Sequence, residues 1–428
     1  MLKKEIWKSI FDNNQISEGS AFDFYADSWT HRSLSFENKK LSLKTSETGG
    51  ARVLTQKDHV PQSFQSSVLI PELFFAFIDR KDSFPLHFES SGSPKVPPTS
   101  PSQDIFLEQT FRRLLLEVGT EDLFTASFEE HHKDFIVAHE QNELRQGTES
   151  VARFHLNFVL RKGNRTKTFS FQKGTTEIPV LLNELENWSF SKELLEKGLE
   201  KPWPAPKGKL ALHWSSQSVA KFGACFLKML EFFSRDPELL SSLAQLCRPL
   251  GFQLIENWKS ETKIDVEGKV RVPTILVNGK ESLTAFNENL PGFARRQTYS
   301  HFPITAPWEP AIFGLERSSN LLSQMRDGIS IGDVELKNFH IPSGKLDFEI
   351  QESVLVHQGV KGEFIEPVTL RVDLIDLLRS FKLFSEKTSP TPLDWNSWGQ
   401  NLFVEFTAPE ALSPQFELPG TVPLTHYW

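Results

Sequence analysis

Residues 32–56 read RSLSFENKKLSLKTSETGGARVLTQ. Leu34 and Phe36, then Leu41 and Leu43, recur at every second position, the period of a strand that buries one face. Asn38-Lys39-Lys40 separates the two runs and suits a hairpin turn, and Gly49-Gly50 introduces a further strand, ARVLTQ. Just upstream, AFDFYADSW alternates Phe22, Phe24 and Ala26 with Asp23, Tyr25 and Asp27. The spacing predicts an antiparallel meander of four short strands over residues 20–57. It is expected to pack on an amphipathic helix carrying Ile6, Trp7, Ile10 and Phe11.

Further along, SSGSPKVPPTSPS at 90–102 has the composition of an exposed loop. Asp104 follows as a candidate cap for a helix that buries Leu107, Phe111, Leu114, Leu115 and Val118. Strand-like sequence runs from about 134 to 172, and a second helical stretch holds Leu181, Leu182, Leu185, Leu194 and Leu195. Pro202-Trp203-Pro204-Ala205-Pro206 breaks any helix. The expected division is therefore an N-terminal domain at 1–205 and a C-terminal domain at 206–428.

The second half opens with a strand, KLALHW (209–214), and a helix with Val219, Phe222, Phe226, Leu230 and Phe233 on one face. Asp236-Pro237 restarts a helix that should bury Leu239, Leu240, Leu243 and Leu246. Beyond 264 the chain turns strand-rich. GKVRVPTILVNGK reads as two strand pieces ending at Asn278-Gly279, and KLDFEIQ alternates Leu346, Phe348 and Ile350 with polar residues. TLRVDLIDLLRSF changes from strand to helix near Asp373. The fold class is α+β: helices and an antiparallel sheet first, then a strand-rich mixed α/β unit.

Composition excludes several functions. The 428 residues carry 47 Lys and Arg against 55 Asp and Glu, a net charge of -8, which argues against a surface built for nucleic-acid phosphates. No run of about 18 apolar residues offers a membrane span. The start, MLKKEIWKSIFDNNQ, lacks the apolar core of a signal peptide, so the expected location is cytoplasmic. Cys225 and Cys247 sit in apolar, helix-like surroundings and read as two buried thiols.

The search for chemistry mostly returns absences. The chain has no phosphate-binding glycine loop, no dinucleotide fingerprint and no nucleophile elbow. His139-Glu140 begins a zinc-helix pattern that positions 143 and 144, Glu and Leu, do not complete. Glu129, Glu130, His131, His132, His139 and Glu140 include the right ligand types for a metal, but adjacent histidines on a strand point to opposite faces. His131, His132, His139 and Glu140 are kept as a minor metal candidate. His213 on KLALHW reads as a core or rim histidine, and Arg295-Arg296 and Lys39-Lys40 as solvated charge.

The order of segments is more specific than any one motif. Residues 32–56, with Gly50 to Leu54 as a Gly-Ala-Arg-Val-Leu strand, resemble the paired N-terminal strands of the TldD/PmbA family. PKGKLALHWSSQSVAKFGACFLKMLEFF (206–233) is similar to the family's strand and small-residue helix. The segment from Ile264 to Glu288, with Asp265, Glu267 and Gly268, and the long stretch from Leu321 to Phe381 follow in the same order. The likeness is greatest to the PmbA (TldE) branch.

The resemblance implies a subunit of a zinc metalloprotease that degrades small or unfolded peptides. In TldD-type members an HExxxH motif on the helix after the central strand binds zinc. Here that stretch is KFGACFLKM, Lys221 to Met229, with no His, Asp or Glu. The resemblance therefore implies no catalytic residue and no metal in this chain, zinc in a TldD-type partner, and a channel for an unfolded peptide. The alternatives are a peptide-binding or scaffolding homo-oligomer and, less favoured, a hydrolase with an unfamiliar site. HFPITAPWEPAIFGL (301–315) suits the centre of an interface: it holds Phe302, Ile304, Trp308, Ile312 and Phe313 with one acidic residue and no Lys or Arg. The same composition also suits a buried loop.

Overall fold

The computed structural model describes residues 22–37, 39–57, 60–67, 101–119, 124–139, 145–162, 165–190, 199–248, 250–256, 259, 263–279, 282–298, 300–419 and 422–423. The helix expected at 6–11, most of the loop expected at 90–102, and Leu194 and Leu195 lie outside them. The chain is α+β, as its periodicities predict.

Six antiparallel strands form the first sheet: β1 (Phe22–Glu37), β2 (Lys40–Lys57), β3 (Val60–Ser66), β4 (Phe124–His139), β5 (Arg145–Lys162) and β6 (Arg165–Thr175), in the order β3-β2-β1-β4-β5-β6. The four short strands expected over 20–57 are two long ones. β1 passes unbroken through the polar residues 27–33 because β2 and β4 supply backbone partners along its length. Backbone pairing does not require the apolar alternation that marks a strand in sequence. The expected turn is correct: Glu37 pairs with Lys40, and Lys39 takes the left-handed conformation, φ 62°, that a two-residue hairpin needs.

One face of this sheet is covered by α1 (Pro101–Val118) and α2 (Ile178–Asn187). Leu107, Phe111, Leu114 and Val118 are buried against Leu34, Phe36, Phe128 and Phe154. Leu115 only flanks this core. The helix starts at Pro101, a favourable first position, three residues before the expected cap. Asp104 is instead tied to Arg32 of β1 by an ion pair. In α2, Leu181 and Leu185 are buried.

The second sheet is mixed. Its strands are β7 (Pro206–Trp214), β8 (Phe252–Glu256), β9 (Thr274–Asn278), β10 (Ser282–Leu283), β13 (Ala311–Gly314), β14 (Arg317–Ser318), β15 (Gly328–His340), β16 (Lys345–His357), β17 (Val360–Phe364), β18 (Val368–Asp373), β19 (Leu383–Ser397), β20 (Gln400–Pro419) and β21 (Val422–Pro423). A separate small hairpin pairs β11 (Ala294–Arg295) with β12 (Ile304–Thr305). The central path runs β13-β20-β7-β15-β16, and β7 pairs in parallel with β15.

Against this sheet lies α3 (Ser216–Phe233), burying Val219, Phe222, Phe226, Leu230 and Phe233 as expected. Gly223 lets it approach: a Cβ there would fall 2.4 Å from Cζ of Phe406. Asp236 caps α4 (Pro237–Leu246), accepting the Glu238 and Leu239 amides at 2.8 and 3.3 Å. Of its four expected core leucines only Leu243 is fully buried; Leu239 and Leu246 are exposed because the short helix lies on the rim of the core. The chain goes on through α5 (Leu321–Met325) and α6 (Leu374–Ser380). The change from strand to helix falls at Asp373, whose carboxylate caps α6.

One expected strand is absent. Lys269 to Val272 makes only a single bridge, Ile264 to Val270, and Val270 and Val272 are exposed. The reason lies in Asp265, whose buried carboxylate accepts the amides of Glu267, Lys269, Gly292 and Ala294 and curls the segment into a turn. Both cysteines are free and buried, and burial pushes each thiol up to about 12.

The register places Phe36 in the core at 1% exposure and leaves Leu43, its neighbour in the sequence pattern, at 48%. Phe36→Ala is therefore expected to cost about 3–5 kcal/mol and Leu43→Ala less than about 1 kcal/mol in denaturant unfolding. Equal losses at the two positions would contradict this register.

Candidate functional site

The face of the first sheet opposite α1 carries the odd-numbered residues of β1, β4 and β5. It meets the second half of the chain through buried charge. Lys133 is fully buried, donates to the Arg296 carbonyl at 2.6 Å, and lies 4.8 Å from the Trp29 ring centre. Arg295 is paired with Glu149 and donates to the carbonyls of Pro307 and Phe403 at 2.6 and 2.7 Å. The Arg296 guanidinium lies over the Tyr25 ring. Arg271 pairs with Glu309 at 3.1 Å, and both Arg271 and Arg295 lie over the Trp308 ring. Arg295 and Arg296, expected as solvated charge, are each only 2% exposed. The correction has a plain cause: Glu149, the countercharge, stands 146 residues away in sequence.

Buried carboxyls in this seam depart from their ordinary behaviour. Glu256 accepts the amides of Trp308 and Glu309 at 2.6 and 2.8 Å, yet burial pushes its carboxyl up to about 7. Burial likewise lifts Asp27 to about 6, against the opposing charge of Lys133. Burial works to raise Glu149 as well, but the charges of Arg295 and Lys133 outweigh it and hold this group below the usual carboxylate value.

Two clefts flank the segment Ser215–Gln217, and β6, an edge strand, contributes to both. One, of about 200 Å³, lies between Gln172–Thr175, Ser216, Gln217 and Ser389–Pro392. The other, of about 190 Å³, has aromatic walls from Phe169, Phe171 and Phe364 and a polar floor of His213, Ser330 and Glu410. His213 is buried on β7, with Nδ1 2.9 Å from Ser330 Oγ and Nε2 3.2 Å from a Glu410 carboxylate oxygen. That hydrogen bond holds Glu410 below its ordinary value. Glu352 closes the wall in the left-handed region, φ 51°, and burial raises its carboxyl. Such a conformation in a non-glycine residue is held only by its surroundings. Sequence reading singled out His213; Ser330, Glu352 and Glu410 carried no signal, being 117 to 197 positions away or undistinguished.

The helix beside these clefts is α3, where the family resemblance places a zinc motif. Lys221 there reaches Asp333 Oδ1 at 2.6 Å and the Val334 carbonyl at 2.8 Å, while Gly223, Cys225 and Phe226 face the core.

The remaining sequence candidates separate. His131 and His132 point to opposite faces of β4: His132 bonds Ser150 and Asp134, whereas His131 stacks on His31 of β1. Burial, and then the neighbouring His31, lower His131 to about 4. His139 ends β4, and its side chain and Glu140 lie outside the described residues. His131 and His132 therefore do not converge; among the described residues His131 lies with His31 and Glu129. In the candidate interface segment, Trp308 and Ile312 are 4% and 1% exposed, spent inside this chain, and Ile304 and Phe313 are half-buried. Phe302 is 62% exposed, stacks on Arg52, and borders a cleft of about 780 Å³ with Trp398, itself 72% exposed.

No protein-family model and no curated protein matches the sequence. Solved structures do. A “putative modulator of a DNA gyrase” from Thermotoga maritima superposes with a TM-score of 0.72 over 97% of this chain and 100% of its own, at 15% identity. TldE from Thermococcus kodakarensis gives a TM-score of 0.67 over 97% and 98%, at 12% identity. This is the TldD/PmbA fold. A third structure, a modulator of the same description from Bacteroides thetaiotaomicron, gives 0.60 over 96% and 98%, at 14% identity. At such identities the likeness is one of fold, and it extends over both sheets of the TldD/PmbA architecture.

The raised carboxyl of Glu256 sets a pH dependence for this seam. Between about 4.5 and 7 the unfolded chain ionises Glu256 while the folded chain keeps its proton, so stability from this group falls as pH rises through that window. Glu256→Gln, which retains an acceptor for the two amides, should flatten the fall. Melting temperatures of both proteins at intervals from pH 4.5 to 7.5 check it; parallel curves would refute the assignment.

Proposed function

We propose that this chain is a TldE-like subunit of a TldD/TldE-type zinc metalloprotease acting on small, unfolded peptides, and that it contributes peptide-binding surface rather than catalytic zinc. The observation that carries the reading is α3. Within a fold shared with TldE, the stretch corresponding to the zinc motif holds an anchored lysine and core-facing small residues. A zinc site needs several imidazole, thiolate or carboxylate ligands on converging faces, and the only such side chain from Lys221 to Met229, Cys225, is turned inward.

Two features support an extended peptide as the ligand class. β6 is an edge strand, whose unpaired backbone groups are the template for strand addition, and aromatic side chains beside it offer pockets for alternate residues. The exposed pair Phe302 and Trp398 supports a partner surface, since large aromatics left in water commonly anchor interfaces. The partner so proposed is a TldD-type metalloprotease subunit, with a cytoplasmic setting.

The test is co-expression with the TldD-type protein of the same organism. The expected outcome is a stable complex that cleaves an unfolded peptide, while this chain alone does not. Phe302→Glu should weaken the complex and leave the fold intact by circular dichroism, whereas Trp308→Glu should unfold the chain. Homo-oligomers that ignore every TldD-type partner would replace this reading with a scaffold.

A further inference from the structure

We propose that His31, His131 and Glu129 form a binding site for a divalent transition-metal ion of the zinc, cobalt or nickel class. The ladder between β1 and β4 sets His31 directly opposite His131, and Glu129 stands two positions before His131 along β4 on the same face. The two imidazoles stack with centroids 4.2 Å apart and planes 9° from parallel. One ligand atom from each of the three residues lies within 4.8 Å of the others. A tetrahedral ion at the usual bond lengths of about 2.0–2.2 Å holds its donors roughly 3.3 Å apart, so the two rings must turn out of their stack to aim both lone pairs at one ion. Among the described residues no other group of His, Cys, Asp and Glu converges in this way.

A second observation points to a missing ligand. His31 Nε2 is buried and has no hydrogen-bond partner. An unmet buried polar atom loses its hydration without replacement, and a coordinated cation is one way to satisfy an imidazole nitrogen. All three residues are half-buried, which leaves the site reachable from solvent. Arg153, directly across the ladder from Glu129, is committed to Asp394 and to the Phe403 ring. Two imidazoles and one carboxylate match the donor preferences of zinc, cobalt and nickel rather than of calcium or magnesium.

The site departs from the expectation that the chain holds no metal. It stands on β1 and β4, not on α3. Sequence reading grouped His131 with its neighbours in the chain. Its true partner lies 100 residues earlier and is reached only through strand pairing.

The test uses the full-length, untagged chain, stripped with chelator and titrated with Zn²⁺ by calorimetry and with Co²⁺ by visible absorption. One equivalent is expected to bind. His31→Ala and His131→Ala should each weaken binding about tenfold or more, and His132→Ala, on the opposite face, should leave it unchanged. Should a variant misfold, Zn²⁺ protection of His31 and His131 from diethylpyrocarbonate in the wild-type chain, read by mass spectrometry, decides instead. Failure of either ion to bind, binding that survives both alanine variants, or labelling of the two histidines unchanged by Zn²⁺ would overturn the proposal.

Discussion

The arrangement of this protein rests on a layer of paired charge sealed between two sheets. Lys133, Arg295 and Arg296 are all but excluded from solvent and are met by Glu149, by backbone carbonyls and by aromatic faces. Charges taken out of water carry a desolvation penalty that only close partners offset, so removing one partner is far costlier than the pair is stabilising. A hydrophobic seam tolerates sliding, since apolar contact has little direction. A seam built of guanidinium forks and carbonyl acceptors specifies one register and one angle.

That constraint places the clefts. With the first sheet docked through β1, β4 and β5, its edge strand β6 stands over the start of α3 and the β7–β15 pair. A strand edge, aromatic walls and a His213–Glu410 pair then share one groove without any of them being adjacent in sequence. Glu405 reinforces the same junction, accepting from Thr175, Thr176 and Lys259. The groove is thus framed by both sheets.

Much of the fold was legible in the residues because the relevant forces are local. Period-two alternation marked the strands, Asp236-Pro237 and Asp373 marked helix starts, and the apolar stripe of α3 marked its buried face. Errors fell where local pattern and tertiary demand diverge. The polar stretch inside β1 looked like a break and was a continuous ladder. Val270 and Val272 looked like strand but follow a turn gathered by Asp265 and make a single bridge, Ile264 to Val270. Asp104 looked like a cap and was drawn to Arg32.

What the sequence alone determined is the class of the fold, the order of its elements and the residue types at α3, all of which depend on spacing along the chain. What only the tertiary structure decided is which charges are buried, which histidine meets which, and which aromatic residue of 301–315 remains in water. Arg295 in isolation is an ordinary surface residue; beside Glu149 it is a buried clamp. His131 in isolation is half of a polar dipeptide; across the ladder from His31 it is part of a converging set of donors. Contacts of this kind link positions a hundred or more residues apart, and no periodicity within the chain encodes them because they arise only when separate strands are brought into register.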